Sequence, residues 1–336
     1  MDQDWAFIGT EKDTVLIAEG PFQKVAECPI GQTAVYKNNF DLSDPTPWHI
    51  PHRLYEATRE ELAAQFSTRP IHSDWVTPDA DSFAQVFESI QAEIQAGRLK
   101  KSVPVVTERV QAPAGTLSQF ISAIAQMPAG VHPYGFFTKE GEGLLGASPE
   151  FLFSSFEGKV KTMALAGTAR AEDQAIFTVD QKEIQEHEFV AQTLLDTLTP
   201  LGMTRRHARQ VVNLGPIVHF QTLIDVELYR SMKPDEIIRA LHPTPALGPL
   251  PRNLDNLAQL GMCRDALGCP EEFGAPFGIY HAGRLELLVA IRNLFYSSGE
   301  LIIPSGCGVI SESRLTNEWR ELKIKRESVK RLFGLL

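Results

Sequence analysis

Cysteine is scarce. The four present (Cys28, Cys263, Cys269 and Cys307) include no Cys-x-x-Cys pair, which excludes a cross-linked mini-scaffold and favours a reduced, cytoplasmic setting. No apolar run approaches the roughly 20 residues a bilayer span requires, so no membrane association is expected. The opening MDQDWAFIGTEKD has neither a basic stretch nor an apolar core, and no secretory signal is expected. Basic residues are the minority, 32 against 42 acidic, for a net charge of −10. No basic patch stands out, so no nucleic-acid partner is expected. Internal repeats and low-complexity linkers are absent, as are GxGxxG, a P-loop lysine, HExxH and the GxSxG elbow around Ser148, which removes the usual nucleotide, zinc-protease and serine-hydrolase signatures.

What is present is enough apolar residue, 43% of the 336, for one large domain or two modest ones. Residues 1–80 read as irregular and rich in turn formers. From Asp81 onward regular signals appear. Phe83, Val86, Phe87, Ile90 and Ile94 recur at helical spacing, with Asp81 or Ser82 as the cap and Gly97 at the end. Val103–Thr107 reads as a strand, and Pro104 within it argues for an edge or a bulge. A second helix is expected around Leu117–Ile124, then short apolar runs split by EGEG and EGK turns. A long helix from Asp180 to Leu198 follows, and a last one from Asn317 to Phe333. LELLVAIRNLFY reads as one strand. Consecutive hairpin-like strands favour an α+β class with antiparallel sheets and helices packed outside.

Two glutamate pairs have chemistry within reach. Glu183 and Glu186, and Glu318 and Glu321, lie three apart on helices and so share a face. They are either solvated helix surfaces or the two halves of an oxygen-rich Mg2+ site. Gly306 and Gly308 follow an apolar strand, where bare backbone makes either a tight turn or an anion-binding approach. Arg292 among apolar neighbours needs an internal salt bridge or an anionic ligand. His219 in IVHFQTL is a satisfied core residue or a pocket wall.

Together the stretches GASPEFLF (146–153), LAGTAR (165–170), KEIQEHEFV (182–190), VHFQT (218–222), LHPTPALG (241–248), VAIRN (289–293), SGCGVI (305–310) and EWRELKIK (318–325) resemble the chorismate-utilising enzymes: anthranilate, aminodeoxychorismate, isochorismate and salicylate synthases. The resemblance runs in order from about Gln85 to the end. It implies two antiparallel sheets stacked face to face with helices outside, a catalytic domain over 81–336, and a shortened, divergent N-terminal part over 1–80. It implies chorismate as substrate and Mg2+ as cofactor, with Glu186 and Glu321 touching the ion and Glu183 and Glu318 helping through water. Arg292, Lys325 and the Gly306–Gly308 backbone would receive substrate carboxylates, with Ala166, Gly167, Thr168 and His219 lining the pocket. Glu150 matches the general acid that protonates the departing hydroxyl; burial near other carboxylates would keep it neutral.

Ala166 stands where the aminodeoxychorismate branch carries a lysine, and no regulatory lobe is seen, so water is the expected nucleophile and no glutaminase subunit is expected. The water-using branches place a basic lysine in a pattern like GxxxKVVLAR. Aligned from Gly97, Lys101 takes that place with Lys100 beside it; aligned from Arg109, Pro104 would. The helix ending at Gly97 fixes the entry, which favours Lys101. The expected activity is isochorismate synthase. Salicylate synthase is the nearest alternative, then the amino-transferring synthases, then a chorismate-binding homologue without turnover.

Overall fold

A computed structural model describes residues 3–10, 14–67, 74–128, 130–215 and 217–335. The first stretch of chain forms strands β1 (Trp5–Gly9), β2 (Thr14–Glu19), β3 (Gln23–Val25), β4 (Ala34–Lys37), β5 (Trp48–Ile50) and β6 (Arg53–Thr58), then the short helix α1 (Arg59–Ala63). Helix α2 (Ala80–Gln95) leads to β7 (Val105–Gln111), a 3-10 helix over Leu117–Gln126, β8 (His132–Phe137), β9 (Gly143–Ser148), β10 (Phe151–Phe156) and β11 (Lys159–Arg170). Then come α3 (Gln174–Phe177), α4 (Gln181–Leu198), β12 (Gly202–Arg206), β13 (Gln210–Asn213), β14 (Ile217–Leu228), α5 (Pro234–Leu241) and α6 (Leu254–Ala266). The chain closes with β15 (Pro276–His281), β16 (Arg284–Val289), β17 (Asn293–Ser297), β18 (Glu300–Gly306) and α7 (Leu315–Leu332).

The strands make two sheets. One has eight, in the order β6-β2-β1-β8-β9-β17-β18-β7; the other has ten, β12-β14-β11-β10-β16-β15-β4-β5-β3, with β13 also on β14. The pairs, such as β18 with β7 and β11 with β14, are antiparallel. Ile8, Phe136, Leu144, Phe295 and Ile302 of the first sheet form one core with Val35, Phe277, Ile279 and Leu288 of the second, so the sheets stack face to face. The 3-10 helix and the end of α7 cover the outer face of the first sheet; α4 and α5 cover that of the second. The class is α+β. Among the described residues no helix is long and apolar enough to cross a membrane, and all four cysteines are free.

Several sequence-based expectations change. Residues 1–80 are not irregular: β1 lies inside the first sheet, between β2 and β8, and β4 and β5 extend the second. These strands run only three to six residues, too short for periodicity to show against the intervening turn residues. The 117–126 segment is a 3-10 helix rather than α. Asp79, not Asp81 or Ser82, caps α2, accepting from both of their backbone N–H groups. Pro104 falls just before β7, which is an edge strand as a proline there requires.

The run LELLVAIRNLFY is two strands, one in each sheet. Ala290, Ile291 and Arg292 carry the chain across, with Arg292 at φ +55°. A second crossing joins β9 to β10 through Pro149 and Glu150 alone. The two crossings are fastened together: the Ser148 hydroxyl donates to Val289 O at 2.7 Å, and Val289 N–H donates to Glu150 O at 3.0 Å. The apolar sheets thereby deliver a carboxyl and a guanidinium to the same seam.

Candidate active site

The seam borders an inner cavity of about 70 Å³ lined by Glu150, Ala166, Gly167, Thr168, Glu186, His219, Arg292, Gly306, Gly308 and Lys325, with Ala246, Leu247, Phe273 and Ile291 among its apolar walls. Glu150 is buried. Burial raises its carboxyl to about 7, although the Thr244 hydrogen bond, Lys101 and Lys325 pull the other way. Of the two expected causes, burial operates and neighbouring carboxylates do not. Thr244 Oγ1 donates to Glu150 Oε1 at 3.1 Å.

Strand β11 is bulged between Ala166 and Thr168, with Gly167 at φ +77°. The bulge aims the Thr168 N–H at Glu183 Oε2, 2.8 Å away. Across the pocket, His219 donates from Nδ1 to Gly167 O at 2.8 Å, which leaves Nε2 to accept from Arg292 Nη2 at 3.1 Å. Burial, then Arg292 and Lys325, hold His219 down at about 3, so the imidazole is neutral. Lys325 Nζ donates to Gly306 O at 2.8 Å and pairs with Glu321 at 2.6 Å. The bare backbone of Gly308 leaves room for Glu186: a Cβ there would lie 2.1 Å from Glu186 Oε1 and displace that carboxylate.

Lys101 is fully buried, its ammonium 3.3 Å from Glu186 Oε1. It is not on the inner wall itself; Glu186, to which it is tied, is. Lys100 is exposed. Helix α4, capped by Asp180, presents Glu183 and Glu186, and α7 presents Glu318 and Glu321. The four carboxylates divide over two adjoining spaces rather than sharing one. Glu186 lines the inner cavity; Glu183, Glu318 and Glu321 line an outer one of about 540 Å³ that also touches Thr168. Lys182, which the sequence reading passed over, stands between them. Its ammonium lies 2.9 Å from Glu183, 3.5 Å from Glu186 and 3.4 Å from Glu318.

Burial raises Glu183 to about 7 and, with Glu321 beside it, Glu318 to about 7. Burial also pushes Glu186 up, but Lys101, Lys182 and Lys325 outweigh it and hold Glu186 at about 2. Among the described residues no three carboxylate, imidazole or thiol groups are gathered as a ready metal cluster; Lys182 stands in the middle of the set. The donor set still fits a hard divalent cation. It is all oxygen, carboxylate-rich, and leaves Glu318 Oε2 buried without a partner. The lysine ammonium marks where positive charge is demanded.

Comparison with known proteins gives a consistent pattern. A family model described as "Chorismate binding enzyme" matches residues 45–334. The chain is 32% identical over 208 residues, 57% of its length, to "Salicylate biosynthesis isochorismate synthase" of Pseudomonas aeruginosa, of which that match spans 43%. It is 24% identical over 322 residues, 88% of its length and 80% of the relative's, to "Isochorismate synthase EntC" of Escherichia coli. A crystal structure described as a 2,3-dihydroxybenzoate-specific isochorismate synthase, DhbC from Bacillus anthracis, superposes with a TM-score of 0.80 at 20% identity, covering 100% of this chain and 98% of that one. Anthranilate synthase component I from Streptococcus pneumoniae superposes at 0.71 with 15% identity, covering 98% and 91%.

Proposed function

Because the chain belongs to the chorismate-binding enzyme family, we propose that it is an isochorismate synthase, adding water at ring carbon 2 of chorismate as the carbon-4 hydroxyl departs. The observation that carries this reading is the state of Glu150: a buried carboxyl held at about 7, hence able to give up a proton near neutral pH. A hydroxyl leaves readily only when protonated as it goes. Glu150 protonates it, and it departs as water. On the other side a water adds its oxygen to carbon 2 and gives its proton to Lys101, which must act as the free amine and so must first pass its ammonium proton to solvent and part from Glu186; one water enters and one leaves.

Chorismate is a dianion, and the site meets it with Arg292, Lys325 and the neutral His219 beside them. Glu186 and Glu321, with Glu183 and Glu318 around them, would hold Mg2+, which supplies positive charge for a ring carboxylate. Lys182 must yield for this. At 70 Å³ the inner cavity is smaller than the roughly 150 Å³ that encloses a benzene. The substrate therefore claims space on the outer side, and withdrawal of Lys182 would join the two cavities.

The test is incubation of the purified protein with chorismate and Mg2+, with and without ammonium, followed by product identification. Isochorismate, unaffected by ammonium and absent after chelation with EDTA, is the expected result. Release of pyruvate with salicylate would replace this reading by the salicylate synthase one. An ammonium-dependent amino product, or no turnover, would overturn it. Full-rate turnover in EDTA would remove the metal assignment alone.

A further inference from the structure

Behind Arg292, on the side away from His219, lies a separate cavity of about 240 Å³. Its walls are mostly hydrocarbon, from Leu214, Ile217, Val329 and Leu332 among others, and its only charged lining residues are Arg292 and Arg331. Neither arginine has a carboxylate partner among the described residues. Arg292 bonds Ser328 Oγ at 2.9 Å on this side and His219 on the other; Arg331 has no ion pair among the described residues. In a chain of net charge −10, the half-buried Arg292 without an acid in contact is unusual, because buried or half-buried cations are normally paired; the exposed Arg331 adds a second guanidinium at the rim of the same apolar space.

We propose that this cavity is a binding site for a single-ring apolar monocarboxylate, and that its occupant draws on Arg292 from behind the substrate pocket. The volume suits one ring with a carboxylate, since an apolar cavity of roughly 150 Å³ holds benzene. The hydrocarbon walls take the ring. The carboxylate exchanges water for Arg331 at the opening and for the Ser328-bound edge of Arg292 together, where a fork of donors matches two carboxylate oxygens. Arg292 is held at a positive φ in the three-residue crossing between the sheets, so its backbone has little freedom to follow the side chain. A guanidinium engaged from behind is less available in front. The effect on turnover rests on the proposed function; the binding site does not.

Benzoate serves as the probe, with benzamide as the uncharged control and acetate as the control without a ring. Calorimetry and chorismate consumption are measured on the native protein, Leu214→Trp, which fills the space, and Arg331→Gln, which removes charge from an exposed helix end. The expected result is that benzoate binds and slows chorismate consumption, benzamide and acetate do neither, and each variant keeps its basal turnover. Leu214→Trp should lose benzoate binding and inhibition together, and Arg331→Gln should weaken both about ten-fold, the scale of one charge-assisted contact. Should Leu214→Trp prove misfolded, the Arg331→Gln result decides alone. Failure of benzoate to bind the native protein, or affinity unchanged in Arg331→Gln, overturns the proposal; the second outcome would place benzoate in the substrate pocket. A protein that binds benzoate as described but leaves chorismate intact would uphold this site and reject the synthase reading.

Discussion

Replacing Lys101 by alanine should cut water addition by about 10²–10⁴-fold, the usual contribution of a positioned base, while chorismate still binds through Arg292 and Lys325. Single-turnover kinetics beside a binding titration checks both halves; full activity in the variant would remove Lys101 from the mechanism. Thr244 permits a finer test. Its hydroxyl donates to Glu150 Oε1, favouring the ionised carboxylate and leaving Oε2 as the oxygen that carries the acid proton. With Glu150 raised to about 7, the protonated form is the working one: activity is lost as pH rises through about 7, while the stability from that neutral carboxyl is full below the ordinary value of 4.5 and is lost between there and about 7. Thr244→Val should lower kcat and move this alkaline limb upward by about one unit, the scale of one hydrogen bond to a charge. Thr244→Ser should restore it; an unmoved limb would show that Thr244 only packs. Thr244 sits in LHPTPALG, which the sequence offered as a motif without a role. Lys182 was hidden for a different reason: a lysine beside a glutamate on a helix reads as solvated, and only the approach of α7 turns it inward.

The helices and strands carry these side chains with differing legibility. The apolar face of α7 was readable because its period is regular over four turns. Its attachment was not, because it depends on a residue far away in sequence. Glu108 on β7 receives Lys330 at 2.7 Å and Arg326 at 3.3 Å, all three buried. Glu108→Gln should destabilise the protein by about 3 kcal/mol, since breaking a buried pair strands its cations. Because α7 also bears Glu318, Glu321 and Lys325, turnover should fall with it; denaturant unfolding and a chorismate assay on the same sample test this, and wild-type stability would mean the trio contributes nothing net. The strand reading failed at 290–292 for a physical reason. A segment buried in one sheet and then in the other stays apolar throughout, so neither periodicity nor composition changes at the crossing.

At the scale of the whole molecule, the first 63 residues are structurally inseparable from the rest. β1 pairs with both β2 and β8, and β4 pairs with β15, so their removal would open an edge on each sheet and bare the core between Phe7 and Phe137. A chain beginning at residue 64 should therefore be insoluble or unfold without a cooperative transition in calorimetry; a soluble fragment with a sharp transition would make the N-terminal part an appendage. The α+β class with antiparallel sheets could be inferred from hairpin-like strand order; the face-to-face stacking came only with the family resemblance that the ordered motifs carry. Membership of the short early strands in both sheets could not be inferred, since the pairings that join them to the rest, β1 with β8 and β4 with β15, span more than a hundred residues.

The crossing at Ala290–Arg292 has a consequence for descent. Loops on the rim of this fold can gain or lose residues while the sheets stay as they are. Here one added or lost residue would rotate Arg292 out of the seam or shift β17 out of register with β9. Lineages that carry this fold should therefore keep three residues between those two strands even where the amino acids themselves have drifted, with length inherited more strictly than identity.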